Sequence, residues 1–250
     1  MPFGYVNARS VCNKATVIKD YVIEHDLDMV ILTETWLNKT NDRRVTAELL
    51  PNGYSIVHKM RVDKRGGGIA VMCRNGDTHM MNMDLVAQPT SFENMELKLA
   101  MNTQSVHLFV IYRPPSTTEN AKQIFLDEFA ELLSQIAISP NEALIIGDFN
   151  LHWDSQSDPF ISHFNSLLHE ADCCQHVTGA THVAGHTLDL IITKRTGRML
   201  ESIYVASLLS DHFVIHGTML VHKPPRPRKQ ITFRPYRSLD HDALVDDTLQ

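Results

Sequence analysis

Several apolar runs in this 250-residue chain end in side chains that bind cations or move protons. FGYV ends at Asn7, DMVILT at Glu34, HLFVI at Tyr112, and ALIIG at Asp148, with Asn150 two residues on. LDLIIT begins with Asp189, and Asp211 and His212 precede FVIHGTML. A buried strand delivers its terminal side chain to the rim of a sheet, where polar groups can converge on a ligand. Carboxylates, amides, a phenol and an imidazole gathered there are the parts of a hard-cation site that cleaves a phosphate ester. Each piece alone has a plainer reading. Asp148 and Asn150 after a glycine are also good turn residues, Glu34 also suits a solvated strand end, and Tyr112 a strand-end aromatic.

Other combinations fail on geometry. Ser210, Asp211 and His212 are consecutive, so they cannot line up as nucleophile, orienter and base. His182 and His186 have the spacing of a helical metal pair, but Gly185 and β-branched neighbours argue against a helix. RGGGI at 65–69 lacks the pattern of a phosphate-binding P-loop and reads as a loop entering a strand.

Ten short apolar, β-branched runs are the strand candidates: 3–7, 28–34, 54–58, 68–73, 95–99, 106–112, 143–148, 188–193, 202–206 and 213–220. Helices are expected in three places. Ser10 is placed to cap one carrying Val11, Ala15, Ile18 and Val22. A second spans about 119–136, with Phe125, Phe129, Leu132, Leu133 and Ile136 on one side, and a weaker third covers 159–170. Ten strands against three helices are too many for a doubly wound sheet. Two sheets packed face to face, with helices outside, fit the count. Residues 1–222 form the expected domain. KPPRPRK opens a basic, proline-containing linker over 223–250, and the chain stops at TLQ, as a piece of something longer would.

At 43% hydrophobic and 21% charged residues, the composition excludes a disordered chain, and a net charge of -6 excludes a wholesale basic nucleic-acid coat. Four cysteines at 12, 73, 173 and 174 form no CxxC pair, which points to a reducing, intracellular compartment. No signal peptide or membrane-length apolar stretch is visible.

In order, NARS (7–10), LTETWL (32–37), RGGGIAV (65–71), YRPP (112–115), GDFNLHWD (147–154), TLDLI (187–191) and SDHFVI (210–215) resemble the endonuclease/exonuclease/phosphatase superfamily, and most of all the apurinic-type endonuclease domain of non-LTR retrotransposons. The resemblance implies a four-layer α/β/β/α sandwich whose two sheets are mainly antiparallel, with the active site at one rim. It implies Mg²⁺ as cofactor, with Mn²⁺ as a substitute, held by Glu34 with Asn7 nearby directly or through water, and Asp211 helping to position the metal or the leaving group. Asp189 would orient His212; His212 and Asp148 would contact the scissile phosphate and the attacking water; Asn150 and Tyr112 would donate to phosphate oxygens. Val214 stands where relatives commonly carry proline, a change expected to affect only loop rigidity.

The implied activity is nicking of double-stranded DNA with 3′-hydroxyl and 5′-phosphate ends, in the nucleus. In a full-length element the partners would include element RNA and a reverse transcriptase, with no membrane. Arg9, Lys59, Arg61, Lys64, Arg65 and Arg74 are the cations expected along the DNA backbone, and 178–187 falls where the family carries a groove-probing loop. Two other readings stand beside this one. The chain could be a catalytically silent remnant that only binds nucleic acid or protein. It could also be a phosphoesterase acting on inositol lipid or sphingomyelin, although the Pro-Ala-Trp-x-Asp-Arg segment of those groups is missing.

Overall fold

In β1 (Pro2–Asn7), Phe3 and Tyr5 face one way and Val6 the other, and all three are buried. The same holds for β2 (Met29–Thr33), β4 (Ile69–Arg74), β8 (Glu142–Asp148) and β10 (Asp189–Lys194), so these strands are apolar on both faces and belong at the centre of a layered fold. A computed structural model describes residues 1–61, 65–76, 78–83, 88–101 and 104–220. The expected linker, 223–250, lies outside the described residues, as does Lys64.

The remaining strands are β3 (Tyr54–Lys59), β5 (Thr78–Met83), β6 (Glu93–Met101), β7 (Gln104–Tyr112), β9 (Cys173–Gln175), β11 (Leu200–Leu208) and β12 (Phe213–Met219). Four helices, α1 (Ala15–Glu24), α2 (Asp42–Leu49), α3 (Glu119–Ile138) and α4 (Pro159–Glu170), complete the described elements. The strands form two six-stranded sheets, ordered β11-β12-β1-β2-β4-β3 and β5-β6-β7-β8-β10-β9. Each sheet holds one parallel pair, β1 with β2 and β7 with β8, among antiparallel neighbours. Parallel neighbours need a crossover, and α1 and α3 supply the two.

Three apolar layers hold the sandwich together. Phe3, Tyr5, Ile31 and Val71 of the first sheet meet Leu97, Leu108, Leu144 and Ile191 of the second. Val6, Val30 and Leu32 pack outward against Ile18 and Val22 of α1 and Val45 and Leu49 of α2. Phe109, Ile145 and Ile192 pack against Phe125 and Phe129 of α3 and Phe164 of α4. This is the expected α/β/β/α sandwich with mainly antiparallel sheets.

All ten expected strands form, and α3 and α4 lie where expected. Three elements are additional: β5 is a mostly exposed edge, β9 has only three residues, and α2 buries only Val45 and Leu49. One expectation is corrected. Ser10 does not cap α1, which starts at Ala15; Ser10 has φ 81°, its backbone N–H donates to Glu34 O (2.7 Å), and its Oγ accepts from Cys12 N. The first turn is spent on docking the β1 end against the β2 end. Among the described residues no helix is long and apolar enough to cross a membrane.

Candidate active site

The register brings the chemistry to one rim. Asn7 and Thr33 pair at the ends of β1 and β2, Tyr112 and Asp148 at the ends of β7 and β8, and Asp189 at the start of β10 pairs with Asp148. Gly147 lets β8 approach β7 closely, since a Cβ there would sit 1.8 Å from the Ile111 carbonyl oxygen. Phe149 then drops into the helix-side core, its ring 5.7 Å from those of Phe129 and Phe164. Asn150 turns the chain back with φ 47°; its N–H donates to Asp148 Oδ1 and its Nδ2 to Asp148 Oδ2, both at 2.9 Å.

Five non-glycine residues of this rim, Arg9, Ser10, Glu34, Trp36 and Asn150, have positive φ, against only Asp26 and Asp172 elsewhere among the described residues. Such conformations cost on the order of 1–3 kcal/mol each and persist where the surroundings over-determine them. Here Thr35 N and Trp36 N donate to the carbonyls of Gly68 and Gly67, and Val11 N donates to Thr35 O.

Asp189 is fully buried and holds two partners. Its Oδ1 accepts from the Tyr5 hydroxyl (2.9 Å), and its Oδ2 bonds His212 Nδ1 (2.7 Å). That pairing leaves His212 Nε2 to face the rim. Burial pushes the imidazole down, but Asp189, followed by Asp148 and Asp211, more than reverses this and lifts its pKa to about 9. Burial, with Asp189 beside it, pushes Asp148 up to about 8. Ligating atoms of Asp148, Asp189 and His212 all lie within 4.8 Å of one another.

Asn7 ties the two sheets together. Its Nδ2 donates to Asp148 Oδ2 (2.8 Å) and to Glu34 Oε1 (3.4 Å), while its Oδ1 accepts from Arg9 N (2.9 Å). The amide therefore turns its NH₂ toward the carboxylates and steers them. Glu34 also accepts from Tyr112 OH (2.7 Å) and Trp36 Nε1 (3.1 Å). Burial, then Glu34, raises the Tyr112 phenol, so it remains a donor. Both amide hydrogens of Asn150 are engaged, by Asp148 and by Arg113 O (2.7 Å).

Asp211 pairs through Oδ2 with Arg9 and lies 3.6 Å from His182 Nε2. Although burial opposes it, its own backbone N–H and then His212, Arg9 and His182 hold this carboxyl below the usual range. Asp211 Oδ1 is buried without a hydrogen-bond partner. An orphaned carboxylate oxygen on the same rim as Glu34 fits a hard divalent cation, which takes oxygen donors, and ligating atoms of Asp211, His182 and His212 lie within 4.8 Å of one another. His182 and His186 sit in the 178–187 loop; His186 bonds Asp154 instead (2.9 Å).

The cations divide. Arg9 is exposed on the rim, Arg65 lies 5.7 Å above the Trp36 ring, and Arg61 pairs with Glu93 and sits 5.5 Å from the Tyr112 ring. Lys59, at the rim end of β3, donates to Gln88 Oε1 and Asn94 O. Arg74 is the correction. It ends β4, which runs antiparallel to β2, so it lies at the opposite rim, paired with Asp26 and Asp28. Cation density along the sequence does not tell which strand end a residue occupies. Tyr5, Trp36, Glu93 and Arg113 join the site without having been singled out. Tyr5 reads as core, and only the charge of Arg113 closing an apolar run stood as a signal.

Comparison with known proteins agrees with this fold. A family model described as endonuclease-reverse transcriptase matches residues 106–216. No curated protein matches the chain in sequence. The fold is similar to the AP endonuclease LMAP from Leishmania major, with TM-score 0.72 and 15% identity over 90% of this chain and 88% of that one. It is also similar to the endonuclease domain of TRAS1, a telomere-specific non-LTR retrotransposon (TM-score 0.67, 12% identity, 89% and 99%). A third similar structure is the 3′ phosphatase NExo from Neisseria, bound to a product DNA hairpin (0.65, 14%, 88% and 99%).

Proposed function

We propose that this chain is a member of the endonuclease/exonuclease/phosphatase superfamily and a Mg²⁺-dependent DNA endonuclease of the non-LTR retrotransposon type, nicking a duplex strand to leave 3′-hydroxyl and 5′-phosphate ends. The observation that carries this reading is the buried Asp189–His212 pair, aimed at a rim where one hydrogen-bonded set spans both sheets.

Hydrolysis joins a water oxygen to phosphorus and breaks the bond to the 3′ oxygen; the attacking water gives up a proton, and the leaving oxygen takes one from solvent water. Negative charge grows on the phosphate oxygens as this happens, and fixed donors in a water-poor site offset it best. His212, held charged by Asp189, offers its Nε2–H to a phosphate oxygen. Asp148, made more basic by burial and Asp189, accepts the proton of the attacking water. Asn7 and Asn150 hold that carboxylate in place from two sides. The Tyr112 hydroxyl, which donates to Glu34, is placed to donate to a phosphate oxygen instead, whereas Asn150, expected to do the same, has both amide hydrogens engaged and serves to position Asp148. Glu34 and Asp211 supply the oxygens that would hold the cation. When bound, the cation supplies charge neutralisation at the phosphate and a more acidic water. DNA as substrate is supported by the exposed rim cations Arg9 and Arg65, which suit backbone phosphates.

The test uses a 5′-labelled duplex oligonucleotide with Mg²⁺ or EDTA. Internal cuts that appear only with Mg²⁺, and whose new 3′ ends a DNA polymerase extends directly, are expected. Release of terminal phosphate alone would turn the reading toward a phosphatase, and DNA retention without any cutting toward a binding module.

A further inference from the structure

Arg113 follows Tyr112 at the end of β7, where a cation would ordinarily reach solvent, yet it is only 2% exposed. Its guanidinium carbon lies 4.8 Å from the centre of the Phe125 ring and 5.3 Å from that of Phe160, beneath the turn formed by Asp148, Phe149 and Asn150. Nη1 donates to the carbonyls of Phe149 (3.2 Å) and Asn150 (3.1 Å). The main chain completes the connection: Arg113 N donates to Asp148 O (2.9 Å), and Arg113 O accepts from Asn150 Nδ2 (2.7 Å). Three consecutive residues of the site are thus tied to one.

Stability alone gives little reason for a charge here. Nη2 is buried without a hydrogen-bond partner, and replacing buried ionic groups with apolar residues of similar volume is often neutral or stabilising. What methionine or leucine could not do is hold two carbonyls from one point. Those carbonyls lie on either side of the Asn150 Cα, where φ is 47°.

We propose that Arg113 is a positioning residue that acts through Asn150: its guanidinium holds the Phe149 and Asn150 carbonyls, and so fixes the Asn150 amide against Asp148. The inference rests on the hydrolytic reading of the site. Guanidinium suits the task because it stays protonated when buried and donates in a fixed plane. Burial pushes Arg113 down and Asp148 pushes it up, consistent with a charge that the carboxylate feels.

The experiment compares wild type, Arg113→Met, Arg113→Lys, Asn150→Ala and the Arg113→Met/Asn150→Ala double variant. In Arg113→Met, kcat for nicking is expected to fall by roughly 10²-fold, as for a catalytic group displaced by about an ångström, with DNA affinity and KM unchanged. Arg113→Lys recovers part of the loss. In the Asn150→Ala background the same change should cost no more than about threefold, because groups acting as a unit are not additive. Losses that multiply, or an Arg113→Met kcat close to wild type, overturn the proposal. Hydrogen exchange of the Asn150 side-chain amide, followed by ¹⁵N NMR, reads the clamp without activity. Faster exchange in Arg113→Met is expected, or in Arg113→Lys if the methionine variant does not fold; unchanged exchange overturns the clamp even if wild type proves inactive. Wild type that does not cut, with exchange still dependent on Arg113, refutes the hydrolytic reading and leaves the clamp standing.

Discussion

Asp189→Asn keeps the shape of a fully buried side chain and removes its charge. The Tyr5 hydroxyl accepts from Thr33 Oγ1 (3.0 Å) and donates its one hydrogen to the Asp189 carboxylate (2.9 Å), so the asparagine oxygen is drawn to Tyr5. Its NH₂ then faces His212 Nδ1, which must accept rather than donate. The imidazole is left neutral, with its proton on Nε2. In wild type the His212 pKa stands at about 9 instead of 6.5, and Asp189 is the largest influence raising it. A shift of that size corresponds to roughly 3 kcal/mol in favour of the imidazolium. If that charge is used in the transition state, its loss costs roughly 10²-fold in kcat. Single-turnover nicking at pH 7.5 measures the loss, and NMR titration of the His212 ring measures the charge. The variant should nick roughly 10²-fold more slowly, bind DNA normally, and titrate His212 near or below 6.5. Nicking at the wild-type rate, or an unchanged His212 titration, refutes the reasoning.

Three further outcomes follow from the same geometry. Phe149→Ala opens a cavity beside Phe125, Phe129 and Phe164, and should lower stability by about 3–5 kcal/mol in chemical denaturation. Arg65→Ala should weaken DNA binding and reduce the salt slope by about 1, whereas Arg74→Ala, at the far rim, should leave both unchanged in filter binding at several salt concentrations. Without divalent ions, the protein should melt at a lower temperature at pH 9 than at pH 6.5. His212 stabilises the fold below its ordinary 6.5 and loses that contribution as pH rises through about 9. Asp148 acts in the same direction, since its folded value of about 8 exceeds 3.8 and ionising it disfavours the fold. Mg²⁺ should raise the melting temperature most at high pH, and a melting temperature in EDTA that is flat or rises with pH would contradict both assignments.

Much of this architecture was legible because strands buried on both faces read as unbroken apolar runs. The ends of those runs then named Asn7, Glu34, Tyr112, Asp148 and Asp189 as neighbours at a rim. Elements without such a run were not legible. β5 reads THMMNM with only alternate half-burial, and α2 has just two buried apolar positions. The start of α1 lies later than expected because Ser10 has the chemistry of a cap but is used to join two strand ends. Tyr5 could not be separated from the core, since its hydroxyl meets Asp189 across 184 positions of sequence. Arg74 departs from expectation for the converse reason: its charge is visible in the sequence, but the antiparallel pairing that carries it away from the site is not.

Relaxation of supercoiled plasmid shows at once whether the protein nicks a duplex and whether His212 is needed for it. Purified protein is incubated with plasmid and Mg²⁺, beside EDTA and a His212→Ala control that is folded and binds DNA as wild type does. Nicked circles that require Mg²⁺ and disappear in the variant are expected. Folded wild-type protein that leaves the plasmid supercoiled in Mg²⁺, or His212→Ala that nicks at the wild-type rate, would contradict it.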